Sequence, residues 1–274
     1  PLPQGAAGQA GQPFATDGPA PPPVRDGQAP GLDPAPAAGK AAPGAPGEGG
    51  AAGEARAAVT TRPATEQDLP AVTRIFGAAF DDYRRGFGVD AAVLARLWQG
   101  NLRARIGSTT VADVPGTGVV GFVLTVKPGA QEQFGTPGEA GRRVAAWWRA
   151  LGAAGFWRLP ALFIPMGLAY ARRGQGKDEL YISLIGVDPA YQGRGIGQAL
   201  LGAAETEART AGARAILLHT AATNTRARAA YSRAGYELVC AVRAPWPGPA
   251  GIPAYLAMRK PLGVDPTPGL DRFR

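Results

Sequence analysis

The chain has 274 residues with 45% hydrophobic content, enough for one mid-sized domain or two small ones with a real core, which excludes a fibrous chain or one disordered throughout. Its 29 Lys and Arg against 21 Asp and Glu give a formal net charge of +8. That balance suits an anionic ligand, but the arginines are scattered, and no basic run with interleaved aromatics marks a nucleic-acid surface.

Residues 1–58 hold 17 Ala, 12 Gly and 12 Pro, and only Leu2, Phe14, Val24 and Leu32 there are large and apolar. Such a segment buries too little surface to offset roughly 1–2 kcal/mol of backbone entropy per ordered residue, so a disordered tail is expected. It carries 3 basic and 5 acidic residues, leaving 26 against 16 for the remainder. One Cys (Cys240) and one His (His219) exclude an intramolecular disulfide framework and a Cys/His zinc cluster, so no metal is expected. No apolar run reaches the roughly 18–20 residues that span a bilayer; 159–171 is short and interrupted by Pro160 and Pro165. The N-terminus lacks the charged and apolar regions of a signal peptide. A cytoplasmic protein with neither membrane nor nucleic acid as partner is therefore expected.

Folding is expected to begin near Val59. The stretch from Thr60 to Pro70 reads as a short strand and then a capped helix, with Thr65 as N-cap and Asp68 three residues on. That helix runs to about Phe80 and carries Leu69, Val72, Ile75, Phe76 and Phe80 at helical spacing. A second, 91–106, puts Val93, Leu94, Leu97 and Trp98 on one side. Strands follow at 109–114 and 119–126, joined by the turn residues Pro115-Gly116-Thr117-Gly118. Residues 128–178 differ in texture. With helical patches around 141–150 and 159–172, the segment carries Trp147, Trp148, Phe156 and Trp157 among seven basic groups, and reads as an amphipathic insertion packing its aromatics on the core. Exposed aromatics there make a homodimer an expectation. From Glu179 the elements sharpen: strand 179–187, helix 198–210, strand 215–220, helix 224–234, and strands 236–242 and 254–260. The tail 263–274 reads as loose.

Between the strand at 179–187 and its helix lies Gln192-Gly-Arg-Gly-Ile-Gly197. Alternating glycines let the backbone approach a ligand with converging N–H groups, the helix adds its positive N-terminal end, and Arg194 adds a charge. This is a phosphate cradle. Its G-x-G-x-G spacing fits neither the dinucleotide-binding fingerprint nor the Walker sequence. Asn224 and Tyr231 follow seven residues apart, two helical turns and nearly one face. Ala234-Gly235-Tyr236 then stops the helix.

These motifs resemble the GNAT superfamily of acyl-CoA-dependent N-acyltransferases. The resemblance rests on the Arg62-Pro-Ala-Thr-Glu-Gln-Asp opening, the loop 192–197, Asn224-x-x-Ala227-x-x-x-Tyr231-x-x-x-Gly235-Tyr236 and the closing Met258-Arg-Lys-Pro-Leu262, and covers about 60–262. It implies an α/β fold with a central mixed, mostly antiparallel sheet flanked by helices, here with a helical insertion between the third and fourth strands. The domain would be 59–262. Acetyl-CoA would be the acyl donor, its pyrophosphate on the N–H groups of Gln192, Gly193, Arg194, Gly195, Ile196 and Gly197. Its pantetheine would pair with Ile185 and Val187 as an added strand, with Gly186 hosting a bulge that splays the neighbouring strand. The Ile185 N–H would face the thioester carbonyl. Tyr231 matches the family's acid near sulfur, and Asn224 would bond the pantetheine or a water, or else only cap its helix.

The base is expected on the strand face shared by Glu179, Tyr181 and Ser183, with Glu179 acting through water alongside Tyr181. His219 is the other candidate, its unperturbed pKa near 6.5 suiting a base. Cys240, among Leu238, Val239 and Val242, reads as core rather than nucleophile, so direct attack in a ternary complex is expected. The acceptor would be a primary amine of a small molecule. The alternatives are a protein N-terminus or lysine, or a non-catalytic acyl-CoA-binding module.

Overall fold

The computed structural model describes residues 59–130, 137–156, 158–245 and 248–263. The expected disordered tail, the loose C-terminal residues beyond Gly263 and Trp157 lie outside these.

Seven strands form one sheet: β1 (Thr60–Pro63), β2 (Thr109–Val114), β3 (Gly118–Val126), β4 (Glu179–Val187), β5 (Ala215–Ala221), β6 (Glu237–Arg243) and β7 (Ala254–Pro261), in the order β1-β2-β3-β4-β5-β7-β6. All neighbours are antiparallel except β4 and β5, which are parallel. The parallel pair needs a crossover, and α6 (Ile196–Thr210) supplies it. The remaining helices are α1 (Leu69–Ala79), α2 (Asp81–Phe87), α3 (Ala91–Ala104), α4 (Pro137–Phe156), α5 (Leu159–Arg172) and α7 (Thr225–Arg233). Each expected element is present to within a few residues at its ends.

The chain enters the domain through a capping box. The Thr65 N–H donates to Asp68 Oδ2 at 2.8 Å, and Asp68 also takes Arg62 Nη1 and Nη2 at 2.7 and 2.8 Å. Arg62 reaches Asp113 on β2 as well, at 3.0 Å, so this corner ties β1, the start of α1 and β2 together. Hydrogen bonds from Arg62 hold the Asp68 carboxyl far below the usual carboxylate range.

Two apolar layers sandwich the sheet. On one side α6 lays Ile196, Leu200, Leu201 and Ala204 against Leu180, Ile182, Ile216 and Leu218, joined by Tyr231 and Tyr236. Gly121 permits the close approach, since a Cβ there would lie 3.1 Å from Ile196 and Leu200. On the other side the core includes Phe76, Phe87, Leu94, Trp98, Phe122 and Tyr255, with Trp147 and Phe163 of the insertion packed against it. Trp98 and Trp147 lie 4.9 Å apart by ring centroids. The insertion thus contributes aromatics to the core, as its amphipathic pattern suggests, while Trp148, Ile164 and Leu168 stay exposed.

The short helix α2 is the element the pattern does not announce. Its seven residues carry acids in the first turn and arginines in the last, with Asp81 and Asp82 paired to Arg84 and Arg85. It ends at Gly88, whose φ of 70° is left-handed. Among the described residues, no helix is long and apolar enough to cross a membrane.

Candidate functional site

The β4 and β5 strands pair only from Glu179↔Ala215 to Ile182↔Leu218. Beyond Leu218, β5 keeps only its β7 partner, and β4 from Leu184 to Val187 keeps only β3. The two strands therefore splay into a wedge. Alternation decides which backbone groups face it. The Asp188 N–H donates to Val120 O on β3 at 2.8 Å, so residues one and three earlier direct their N–H and C=O the other way. Those residues are Val187 and Ile185. The splay is accompanied by a bulge, but not at Gly186: Leu124 pairs with Leu184 and Thr125 with Ile182, which leaves Ser183 as the extra residue. Gly186 is glycine for space instead. A Cβ there would lie 3.0 Å from Phe122 and 3.1 Å from Phe80.

Past the wedge, Asp188 caps a 3₁₀ turn, taking the Ala190 N–H at 3.0 Å and pairing with Arg74 of α1. The loop then reaches α6 through Gly193 and Gly195, whose φ values of 84° and 85° L side chains rarely adopt. Gly195 is the N-cap. The first helical bond to it is donated by the Ala199 N–H, so the N–H groups of Ile196, Gly197 and Gln198 point out of the helix end unpaired within it. Space lies above Gly195, with nothing within 4 Å of a Cβ position. The Ile196 side chain is buried in the core and offers only its backbone to the loop. Arg194 is exposed and stacks over Tyr191 at 5.2 Å.

Gln192 braces this loop. Its Nε2 donates to Val187 O at 3.1 Å, and its Oε1 accepts from Arg226 Nη1 at 2.6 Å. Sequence reasoning misses Arg226, in the first turn of α7, because two residues after Asn224 is a position that spacing alone does not aim anywhere. It brings a guanidinium to the cradle. Asn224 itself caps α7, its Oδ1 accepting the Ala227 N–H at 3.1 Å.

Tyr231, two turns along α7, is buried, and burial pushes its hydroxyl up to about 12. The helix ends in a Schellman motif: the Tyr236 N–H donates to Tyr231 O at 3.0 Å and the Gly235 N–H to Ser232 O at 3.1 Å, with Gly235 at φ 86°. The Gly-Tyr pair is thus a helix stop, and the apolar contact that accompanies it is Tyr236 against Tyr231, centroids 6.0 Å apart.

On the opposite face of the sheet, Tyr181 sits just before the wedge opens and His219 just after. The Tyr181 hydroxyl and His219 Nδ1 lie 3.2 Å apart. Glu179, expected beside Tyr181 as a base, is ion-paired with two arginines. Its Oε1 accepts from Arg173 Nη2 at 2.6 Å and Arg259 Nε at 2.7 Å, and its Oε2 from the Gly176 N–H at 2.9 Å. Burial pushes this carboxyl up, but the hydrogen bonds from Arg173, Arg259 and Gly176 outweigh it and hold the group below its ordinary value. The sequence shows Glu179 and Tyr181 on one strand face, but not which arginines fold over the first of them. Cys240 is half-buried, packed near Tyr181, Leu217 and Ala257. Among the described residues, no group of His, Cys, Asp and Glu could hold a metal ion.

Residues 130–236 match the acetyltransferase (GNAT) family. Over 82 residues the chain is 39% identical to the mycothiol acetyltransferase of Cellulomonas flavigena, a span that is 30% of this chain and 23% of that protein. Over 66 residues it is 39% identical to the mycothiol acetyltransferase of Propionibacterium freudenreichii subsp. shermanii, 24% of this chain and 20% of that protein. The chain thus spans less than a quarter of the length of these relatives. Among solved structures, a serine-to-alanine variant of agmatine N-acetyltransferase in its apo form has the same fold, with a TM-score of 0.51 at 16% identity, covering 74% of this chain and 99% of that one. The splayed parallel strand pair and the glycine loop at the following helix both lie within the residues that match the GNAT acetyltransferase family.

Proposed function

We propose that the chain moves an acetyl group from acetyl-CoA to a primary amine of a small molecule, by direct attack within a ternary complex. The observation that carries this reading is the wedge: Ile185 and Val187 direct backbone hydrogen-bonding groups into a gap that ends at a glycine loop with unpaired N–H groups. An extended amide-bearing arm fits the first as an added strand, and a pyrophosphate fits the second. Identity with two proteins named mycothiol acetyltransferase supports a small-molecule acceptor.

In this reading the loop N–H groups from Gln192 to Gly197 hold the pyrophosphate, with Arg194 and Arg226 adding positive charge. The Ile185 N–H faces the thioester carbonyl, where one such donor is typically worth about 3–4 kcal/mol in the transition state. The amine must attack neutral, and Tyr181 with His219 takes up its proton, a role that the clamp on Glu179 takes away from that carboxylate. The new C–N bond forms as C–S breaks, and the sulfur leaves as a thiolate. Tyr231, a phenol that carries its proton at neutral pH, supplies the proton to it. No cysteine intermediate is used.

Release of free CoA thiol, measured with acetyl-CoA and a panel of amino acids, polyamines, aminoglycosides and short peptides, tests this directly. Release that depends on a small amine is expected. Release only with peptides would overturn the small-molecule assignment, and tight CoA binding with no release from any acceptor would favour a non-catalytic sensor. Tyr231→Phe should lower kcat by about 10² while leaving CoA affinity unchanged. A near-wild-type rate would remove the acid role.

A further inference from the structure

The insertion does more than thicken the core: its second helix reaches the residue pair beside the wedge. Tyr170, in the last turn of α5, lies against both members. Its ring is 5.8 Å from that of Tyr181 in an edge arrangement and 6.0 Å from that of His219, while Tyr181 and His219 are themselves 5.7 Å apart. The three rings close a triangle, with the Tyr181 hydroxyl and His219 Nδ1 at 3.2 Å along one side. Tyr170 packs against the apolar cluster that Tyr181 forms with Val126, Leu217 and Ala257.

The residues just beyond Tyr170 pin it there. Arg173, one turn on, donates to Glu179 at 2.6 Å. Gln175 Nε2 lies within 3.1 Å of the carbonyl oxygens of Val126, Lys127 and Glu179, and the Gly176 N–H donates to Glu179 Oε2. The exit of α5 is thereby fastened to the end of β3 and to β4 two residues before Tyr181. An aromatic ring on so short a tether has little freedom to leave the pair it covers.

We propose that Tyr170 is a positioning residue: it holds the Tyr181 and His219 rings in the mutual geometry that lets the pair accept a proton, with Glu179 and Arg173 fixing the helix end that carries it. The role in proton acceptance rests on the function proposed above; the geometric role does not. Because the chain contains a single histidine, its imidazole resonances belong to His219 without assignment, and they report the triangle without any catalysis. Comparison of the full chain with Tyr170→Phe, Tyr170→Leu and Tyr170→Ala at one pH, with Tyr181→Phe as reference, gives the test.

In Tyr170→Phe the imidazole signals should stay at their wild-type positions. In Tyr170→Leu and Tyr170→Ala they should move, towards those of Tyr181→Phe. In the acceptor-dependent assay, Tyr170→Leu and Tyr170→Ala should lower kcat about 10-fold with the KM for acetyl-CoA unchanged, and Tyr170→Phe should restore it. Unmoved imidazole signals in both the Leu and Ala variants would overturn the geometric role. Moved signals with an unchanged kcat would overturn the positioning role while leaving the transferase reading intact. A wild-type chain without acceptor-dependent turnover would instead remove the function, and the resonances would still decide whether Tyr170 holds the pair. Tyr170→Leu keeps an apolar side chain at the site, so a folded variant remains to be measured if Tyr170→Ala is unstable.

Discussion

The two halves of β4 have the same strand conformation and opposite tasks. From Glu179 to Ile182 the strand pairs with β5, and at Tyr181 and Ile182 with the end of β3 as well, and its first side chain is held by two arginines and an amide. From Leu184 to Val187 one edge has lost its strand partner, and the side that opens leads to the glycine loop. A sheet edge left unpaired in a protein interior costs free energy unless something satisfies it. The closed half supplies the rigidity that keeps the open half open, and the open half is where a ligand can finish the sheet.

Substitutions can break this contrast at either end. The largest effect is expected at Gly195→Val: a β-branched residue at φ 85° is strained and would pull the converging N–H groups apart, lowering CoA affinity by at least about 10² in calorimetric titration. The exposed position leaves the fold itself in place, so a preserved circular dichroism spectrum should accompany the loss. Unchanged affinity would mean that the loop is only a turn.

Glu179→Gln attacks the closed half. Removing the charge from a buried ion pair leaves Arg173 and Arg259 without a counter-ion and sets an amide NH2 against the Gly176 N–H, which should cost about 3 kcal/mol in denaturant unfolding. The pH dependence comes from the direction of the shift. A carboxyl whose folded pKa lies below its unfolded value stabilises fully above about pH 4.3, and that contribution disappears as pH falls through the folded value. Wild-type stability should therefore drop more steeply than that of Glu179→Gln as the pH falls below about 4.3. Parallel profiles would remove the anchor role.

The smallest effect belongs to Arg226→Gln at the open end. It keeps a hydrogen-bond donor for Gln192 but loses the charge, so CoA affinity should fall about 5-fold, roughly 1 kcal/mol, with kcat unchanged and with a weaker dependence on salt. An identical salt dependence in wild type and variant would show that Arg226 only braces the loop.

Sequence patterns announce much of this molecule, for reasons that are local. The alternation of 179–187, the periodicity of α5 and α6, and the glycines at 193 and 195 each act through neighbours a few residues away. So does the Gly235-Tyr236 pair, whose Schellman bonds close on Ser232 and Tyr231. The short helix α2 escapes because its seven residues show charges paired along one turn rather than an apolar stripe. A bulge at Gly186 is the natural expectation because glycine tolerates bulges, but the register slips at Ser183, and Gly186 answers to Phe80 and Phe122 from two other elements.

By itself, then, the sequence determined the strands, every helix but α2, their order along the chain and a loop that needs left-handed glycines, because propensity, capping and positive φ are decided within a turn of chain. Only the tertiary structure decided which partners Glu179, Arg226, His219 and Tyr170 meet. Each acts on a partner brought to it by another element, and Tyr170 and Tyr181 meet because Arg173 folds back onto Glu179, a contact that no periodicity records.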